Sequence, residues 1–250
     1  MFHVSCSNGF LANFVVVKPT EMIIQKGDIR FIRLREEDIE LVRKWRNSPE
    51  ITQYMEFRDF ISEDMQQEWF ESIDTIYNLY FIIEYKGEKV GLINGKNINW
   101  EEMSMEAGVF YWKKDLYDTE VPIIATLIFG DLGVIAGGLT TYAHILRSNS
   151  RAIRFNKMIG FDVCEDQENV ENQLYKMTRE SYLQRSRKLR KAFYNVSGND
   201  PILVHLEKED YKKGFAQFIE KILDNQYLIE KEESDGGTKY YFDIGKEFES

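Results

Sequence analysis

Glu106 lies in Met105-Glu106-Ala107-Gly108-Val109-Phe110-Tyr111, a run that reads as a strand carrying one carboxylate. A carboxylate there can take a proton through water, or it can simply face solvent. Tyr111 and Tyr142 sit in strand-like runs and could donate protons, but both are expected to pack in the core. His144 is expected to be packed or hydrogen-bonded rather than catalytic. A second signal runs from Asn149 to Phe161. Asn149 can cap a short amphipathic helix, and Gly160 can take the left-handed position that ends it. Other chemistries find no support. No His, Cys and carboxylate cluster has metal-ligand spacing, so no metal is expected, and neither G-x-S-x-G nor G-x-x-x-x-G-K-[ST] occurs.

The elements that would position these residues alternate in type. Arg30–Arg35 reads as a strand, Asp38–Asn47 as a helix stopped before Pro49, and Ser62 opens a second helix that holds Trp69 and Phe70. Leu79–Tyr85 and Val90–Ile98 form a hairpin across Lys86-Gly87-Glu88-Lys89. The Met105–Trp112 strand follows, then an apolar helix over Val121–Leu132 and a strand over Leu139–Leu146. The Asn149 helix comes next, with a closing strand pair at Asp162–Cys164 and Leu174–Met177. A basic helix covers Arg179–Phe193, and Ser197-Gly198-Asn199-Asp200-Pro201 punctuates like a linker. Beyond it a strand (Ile202–Leu206), a helix (Tyr211–Leu223) and a hairpin across Ser234–Gly237 make a β-α-β-β unit. That unit is too small to stand alone, so it is expected to dock on the main sheet or on a second subunit. The fold class is α/β with a mixed sheet.

Composition sets outer bounds. The 250 residues are 43% hydrophobic, enough for one large or two modest domains. The net charge of −10 argues against nucleic acid as a partner and suits a cationic or amine substrate. With two cysteines, Cys6 and Cys164, no disulfide framework is implied, and a cytoplasmic setting is expected. No apolar run reaches the roughly 18 residues of a membrane span. Phe10–Val17 lacks the flanks of a signal peptide, so the first residues read as an irregular extension, or the true start is Met22.

Four segments carry a resemblance. They are Leu41-Val42-Arg43-Lys44-Trp45-Arg46-Asn47-Ser48-Pro49-Glu50, Ile61-Ser62 through Glu68-Trp69-Phe70, Asn149 to Phe161, and Leu174 to Glu180. In order and spacing they resemble the GNAT superfamily of N-acetyltransferases, in particular its ribosomal-protein and amino-sugar (pseudaminic acid pathway) branches. The resemblance spans about residues 29–182. It implies a mixed, mostly antiparallel GNAT-type sheet flanked by helices. It divides the chain into an irregular extension (1–28), the GNAT-like domain (29–182), a basic helix and linker (183–198) and the α/β appendage (199–250).

The resemblance also implies acetyl-CoA as co-substrate and a small-molecule amine as acceptor. The acceptor is either an amino-sugar nucleotide or, as the alternative, a protein amine. A homodimer is compatible with it. Carried over by position, the residues implied for acetyl-CoA are Val109, Phe110, Tyr117, Thr119, Asn149, Arg151 and Phe155. Those implied for acceptor are Arg46, Asn47 and Trp69, and those for catalysis are Glu106 and Asn156. Trp45 is expected in the core, and Trp69 in the core or a pocket wall.

Two departures stand out. The glycine-rich loop that cradles the CoA pyrophosphate in this superfamily corresponds here to Tyr117-Asp118-Thr119-Glu120-Val121-Pro122, without glycine and with two carboxylates. These either repel phosphate or point away. Asn156 stands where many members have the Tyr that protonates the leaving thiolate, and Asn is no acid at neutral pH. Both departures also fit a catalytically silent binding module.

Overall fold

The computed structural model describes residues 22–197, 200–223 and 226–248. Cys6, the Phe10–Val17 run and the Gly198-Asn199 part of the linker lie outside them. Strands β1 (Ile23–Lys26), β2 (Ile29–Arg33), β3 (Leu79–Tyr85), β4 (Glu88–Asn99) and β5 (Ser104–Tyr111) form an antiparallel meander. The β3–β4 hairpin turns on Lys86 and Gly87, both at positive φ (51° and 80°), as a two-residue turn matched to strand twist requires. β6 (Thr140–Leu146), β8 (Asn172–Met177) and the short β7 (Asp162–Val163) complete that side.

Helices cover both faces. On one, α1 (Ile39–Arg46) and α3 (Glu63–Ile73) close a core of Leu34, Val42, Ile82, Leu92 and Trp112. Trp45 belongs to this core, stacked on Trp112 with centroids 6.2 Å apart. Pro49 both follows α1 and opens the one-turn α2 (Pro49–Thr52), where its missing N–H costs nothing. On the other face lie α4 (Val121–Gly130), α5 (Ser150–Ile159) and α6 (Arg179–Ser197).

The apolar helix expected over 121–132 is regular only to Gly130 and continues to Ala136 as a wide π-helical segment. Gly130 and Gly133 allow close approach there. A Cβ would lie 2.6 Å from the Tyr182 hydroxyl at the first and 2.9 Å from Met105 at the second. Asp131, buried in this segment, accepts from Tyr182 at 2.8 Å and pairs with buried Arg190 of α6.

The region expected to be irregular over 1–28 ends in β1, which is a correction. Met22, Ile24 and Lys26 face inward, but four residues are too few for their alternation to stand out in the sequence. β1 pairs antiparallel with β2 on one side and with β9 (Ile202–Glu207) on the other. Through it the C-terminal strands β11 (Gly237–Phe242) and β10 (Leu228–Ser234) join a single 11-stranded sheet, in the order β10-β11-β9-β1-β2-β3-β4-β5-β6-β8-β7. The helix expected over 211–223 is broken at Gly214 (φ +75°) into α7 (Lys208–Lys212) and α8 (Ala216–Leu223).

Candidate active site

β5 and β6 run parallel, but only three register pairs join them: Ser104 with Thr140, Met105 with Thr141 and Glu106 with Tyr142. Beyond Glu106 the strands diverge. Among the described residues, 107–111 then have β4 as their one strand neighbour, so no strand pairs with the β6 side of that stretch. Val109, on the open arm, is 41% exposed. Phe110 faces the other way and packs on Trp112 at 6.1 Å.

The wide end of this fork is bounded by the loop before α4 and the start of α5. Arg151, in the first turn of α5, donates to the Tyr117 carbonyl at 2.6 Å and lies over the Tyr117 ring at 4.7 Å. The Tyr117 hydroxyl donates to the Tyr111 carbonyl at 2.8 Å. Thr119 Oγ1 donates to Leu116 and accepts from Val121 N–H at 3.3 Å, which closes the start of α4. Asp118 turns outward, 95% exposed at the side chain, with Arg151 3.5 Å away. Glu120 is exposed as well.

The α5 helix has the caps its sequence calls for. Asn149 Oδ1 accepts from Ala152 N–H at 3.1 Å, and Gly160 takes φ +126° while donating to the Asn156 carbonyl. Asn156 spends its amide on the Ala152 carbonyl at 2.9 Å, and Phe155 packs against the core.

At the point of the fork, three strands contribute one polar cluster. Lys96 of β4 lies opposite Glu106 in register, with Nζ 2.8 Å from Oε1. His144 of β6 brings Nδ1 to within 3.1 Å of the same oxygen, and Asn97 Nδ2 donates to Oε2 at 3.3 Å. Burial alone would raise the Glu106 carboxyl. The hydrogen bonds from Lys96 and His144 outweigh it and hold the group below the usual carboxylate range. His144, Leu146, Glu56, Arg58, Val170, Glu171 and Asn172 line an open cleft of about 740 Å³ beside this cluster.

The same sheet face carries the residues expected to meet the acceptor. Trp69 meets Tyr80 edge-on at 5.3 Å, and the Arg46 guanidinium lies 5.5 Å from the Trp69 ring centre. Burial lowers Arg46. It also pushes the Tyr80 phenol up to about 12; Arg46 opposes that rise and Glu106 adds to it. Asn47 exchanges two 2.9 Å hydrogen bonds with the backbone of Ile61, so it fixes the 53–61 loop. Asn94, opposite Gly108 in register, has a buried Nδ2 without a partner among the described residues. A Cβ at Gly108 would come within 2.9 Å of its Oδ1. Tyr111 is core, and burial pushes its phenol upward.

Lys96, Tyr80, Asn94, Glu56 and Arg58 escape a reading of the sequence. Lys96 was within reach through the register of the β4–β5 pair. The others depend on tertiary placement.

Residues 29–178 match the profile of the acetyltransferase (GNAT) domain, which is more than half of the chain. The chain belongs to the GNAT acetyltransferase family. Its fold is also that of solved members. The spermidine N-acetyltransferase from Vibrio cholerae, in complex with CoA and spermine, superposes with a TM-score of 0.51 at 17% identity, covering 62% of this chain and 98% of that one. A T. thermophilus protein assigned as an acetyltransferase gives 0.57 at 14% identity, covering 69% and 97%. The Campylobacter jejuni N-acetyltransferase PseH gives 0.45 at 18% identity, covering 61% and 99%. No curated protein matches this chain in sequence. In this GNAT chain the sheet extends past the family-matched region into β9, β11 and β10.

Proposed function

We propose that this GNAT chain transfers an acetyl group from acetyl-CoA to the primary amine of a small polar acceptor. The observation that carries the reading is the forked β5–β6 pair with a charged, hydrogen-bonded cluster at its point. Transfer of this kind forms an N–C bond as a C–S bond breaks, and the acyl thioester supplies the electrophile. The strand edge left unpaired beside Val109 and Phe110 suits the amide groups of a pantetheine arm. Arg151 supplies a cation at the wide end for the pyrophosphate, with Tyr117 and Thr119 fixing the loop, Asn149 capping α5 and Phe155 packing beneath. The V. cholerae protein, solved with CoA and spermine, is in keeping with acetyl-CoA as donor and an amine as acceptor.

The acceptor class follows from charge. Arg46 is desolvated beside Trp69 and Tyr80, and no carboxylate is within ion-pair distance of it among the described residues. Such a cation attracts an anionic group. The cleft wall holds Glu56 and Glu171, which suit an ammonium, and Arg58, a second cation for an anionic group. An amine that also bears phosphate or carboxylate fits both, and an amino-sugar nucleotide is the leading candidate.

A second reading, a silent acyltransferase-like module, is favoured by Asn156. Its amide is tied to Ala152 and can supply no proton to a thiolate. Calorimetry with acetyl-CoA, followed by mass spectrometry of products from amino-sugar nucleotides, polyamines and peptides, separates the two. Binding with a mass gain of one acetyl group on an anionic amine is expected. No binding at millimolar acetyl-CoA overturns the transferase reading.

A further inference from the structure

The expected catalytic carboxylate is poorly placed to be a base. Glu106 Oε1 lies 2.8 Å from Lys96 and 3.1 Å from His144, and Oε2 takes a hydrogen bond from Asn97. Its side chain is 17% exposed, while that of His144 is 41% exposed. Of the two, His144 lines the cleft. A carboxylate with both oxygens occupied and an ammonium beside it stays ionised and gives up little by remaining so. What it does well is orient an imidazole. When Nδ1–H donates to the carboxylate, the other ring nitrogen, Nε2, becomes the acceptor.

Resting on the transferase reading above, we propose that His144 takes the proton of the incoming amine, with Glu106 as its positioning residue and Lys96 as the charge that holds Glu106 ionised. The protons balance as follows. An ammonium acceptor loses one proton to Nε2, leaving the nitrogen its lone pair, and the imidazolium returns that proton to water in the cleft. The second N–H proton, lost as the N–C bond forms, ends on the departing sulfur. Glu106 and Lys96 keep their charges throughout. Asn156 has no part in proton transfer in this scheme.

The test is chemical rescue. His144→Ala removes an exposed side chain, so folding and acetyl-CoA affinity, read by circular dichroism and calorimetry, should match the native chain. Its kcat should fall about a hundredfold, within the usual span for a general base. Added imidazole should restore much of that loss. Glu106→Gln should lose less, and imidazole should not restore it. An H144A chain that keeps kcat within threefold, or whose loss imidazole does not repair, overturns the assignment. So does an inactive E106Q chain, which would make Glu106 itself the proton acceptor. A native chain that acetylates nothing refutes the transferase reading instead, so the two failures are told apart by the native assay.

Discussion

At the scale of single residues, charge placement under the proposed function decides what each end of the site accepts. The two carboxylates in the loop before α4 are both exposed to solvent. Asp118 is 95% exposed and lies 3.5 Å from Arg151, where solvent screens most of its field. Replacing Asp118 and Glu120 with Gly removes the residual repulsion and lets backbone approach a phosphate. We expect CoA binding to tighten by about two- to fivefold at low salt, on the order of 1 kcal/mol or less. Calorimetry at two ionic strengths checks this, and the gain should shrink as salt rises. Arg46 makes the converse case. Arg46→Met should raise KM for anion-bearing amines about tenfold or more, because a charge-assisted contact is worth roughly 1.5–3 kcal/mol. KM for a simple neutral-tailed amine should stay within about twofold. Steady-state kinetics on the two acceptor types reads the difference, and equal losses would contradict the role of Arg46.

At the scale of elements, helix ends and strand registers carry the site. α5 begins on Asn149 and ends on Gly160, where φ is +126° and a Cβ would sit 2.8 Å from Tyr182 Cα. Gly160→Ala should therefore destabilise the chain by about 1–3 kcal/mol, seen as a lower urea midpoint at unchanged slope. Both ends of α5 were legible in sequence because caps are local chemistry. So were β5 and β6, as short strand-like runs between turn signals. The Glu106–His144 contact was not legible. It joins positions in a parallel strand pair connected by the whole of α4, and no local pattern sets that register. The same holds for the cleft beside His144, whose walls come from the 53–61 loop, β6, the loop before β8 and the first residue of β8. The π-helical continuation of α4 was hidden because a largely apolar run, here with Asp131 inside it, looks alike in either helix type. The tie between Asn47 and Ile61 could have been read as a turn signal but not as a loop clamp.

At the scale of the whole molecule, one extended sheet couples the family-matched region to the C-terminal strands, and the junction responds to pH. His205 in β9 stands opposite Ile23 of β1 and Lys239 of β11. Burial lowers this imidazole; Glu207 opposes the shift and Lys239 reinforces it. The fold therefore favours the neutral ring. Above pH 6.5, the ordinary value, its contribution to stability is complete. As pH falls below that, the unfolded chain binds a proton that the native chain resists, and stability is lost until the native ring titrates as well. A urea midpoint followed from pH 8 to pH 5.5 should decline in the native chain and decline less in His205→Gln. Glu106, held low, follows the same sign in a more acidic window. Its contribution is present above about 4.5 and is lost as pH falls through its native value.

The place of β1 also bears on how this chain is made. During synthesis β1 and β2 emerge early, while β9, the other neighbour of β1, leaves the ribosome only after the GNAT segment is complete. At cellular elongation rates the wait is on the order of ten seconds. Throughout it the nascent chain presents an unpaired strand edge of four residues, with Lys26 at its end. Expression of residues 29–178 alone would strip β1 from β2 and leave the longer β2 edge bare. Such a fragment should self-associate in light scattering, whereas a version starting at Met22 and keeping the C-terminal strands should stay dispersed.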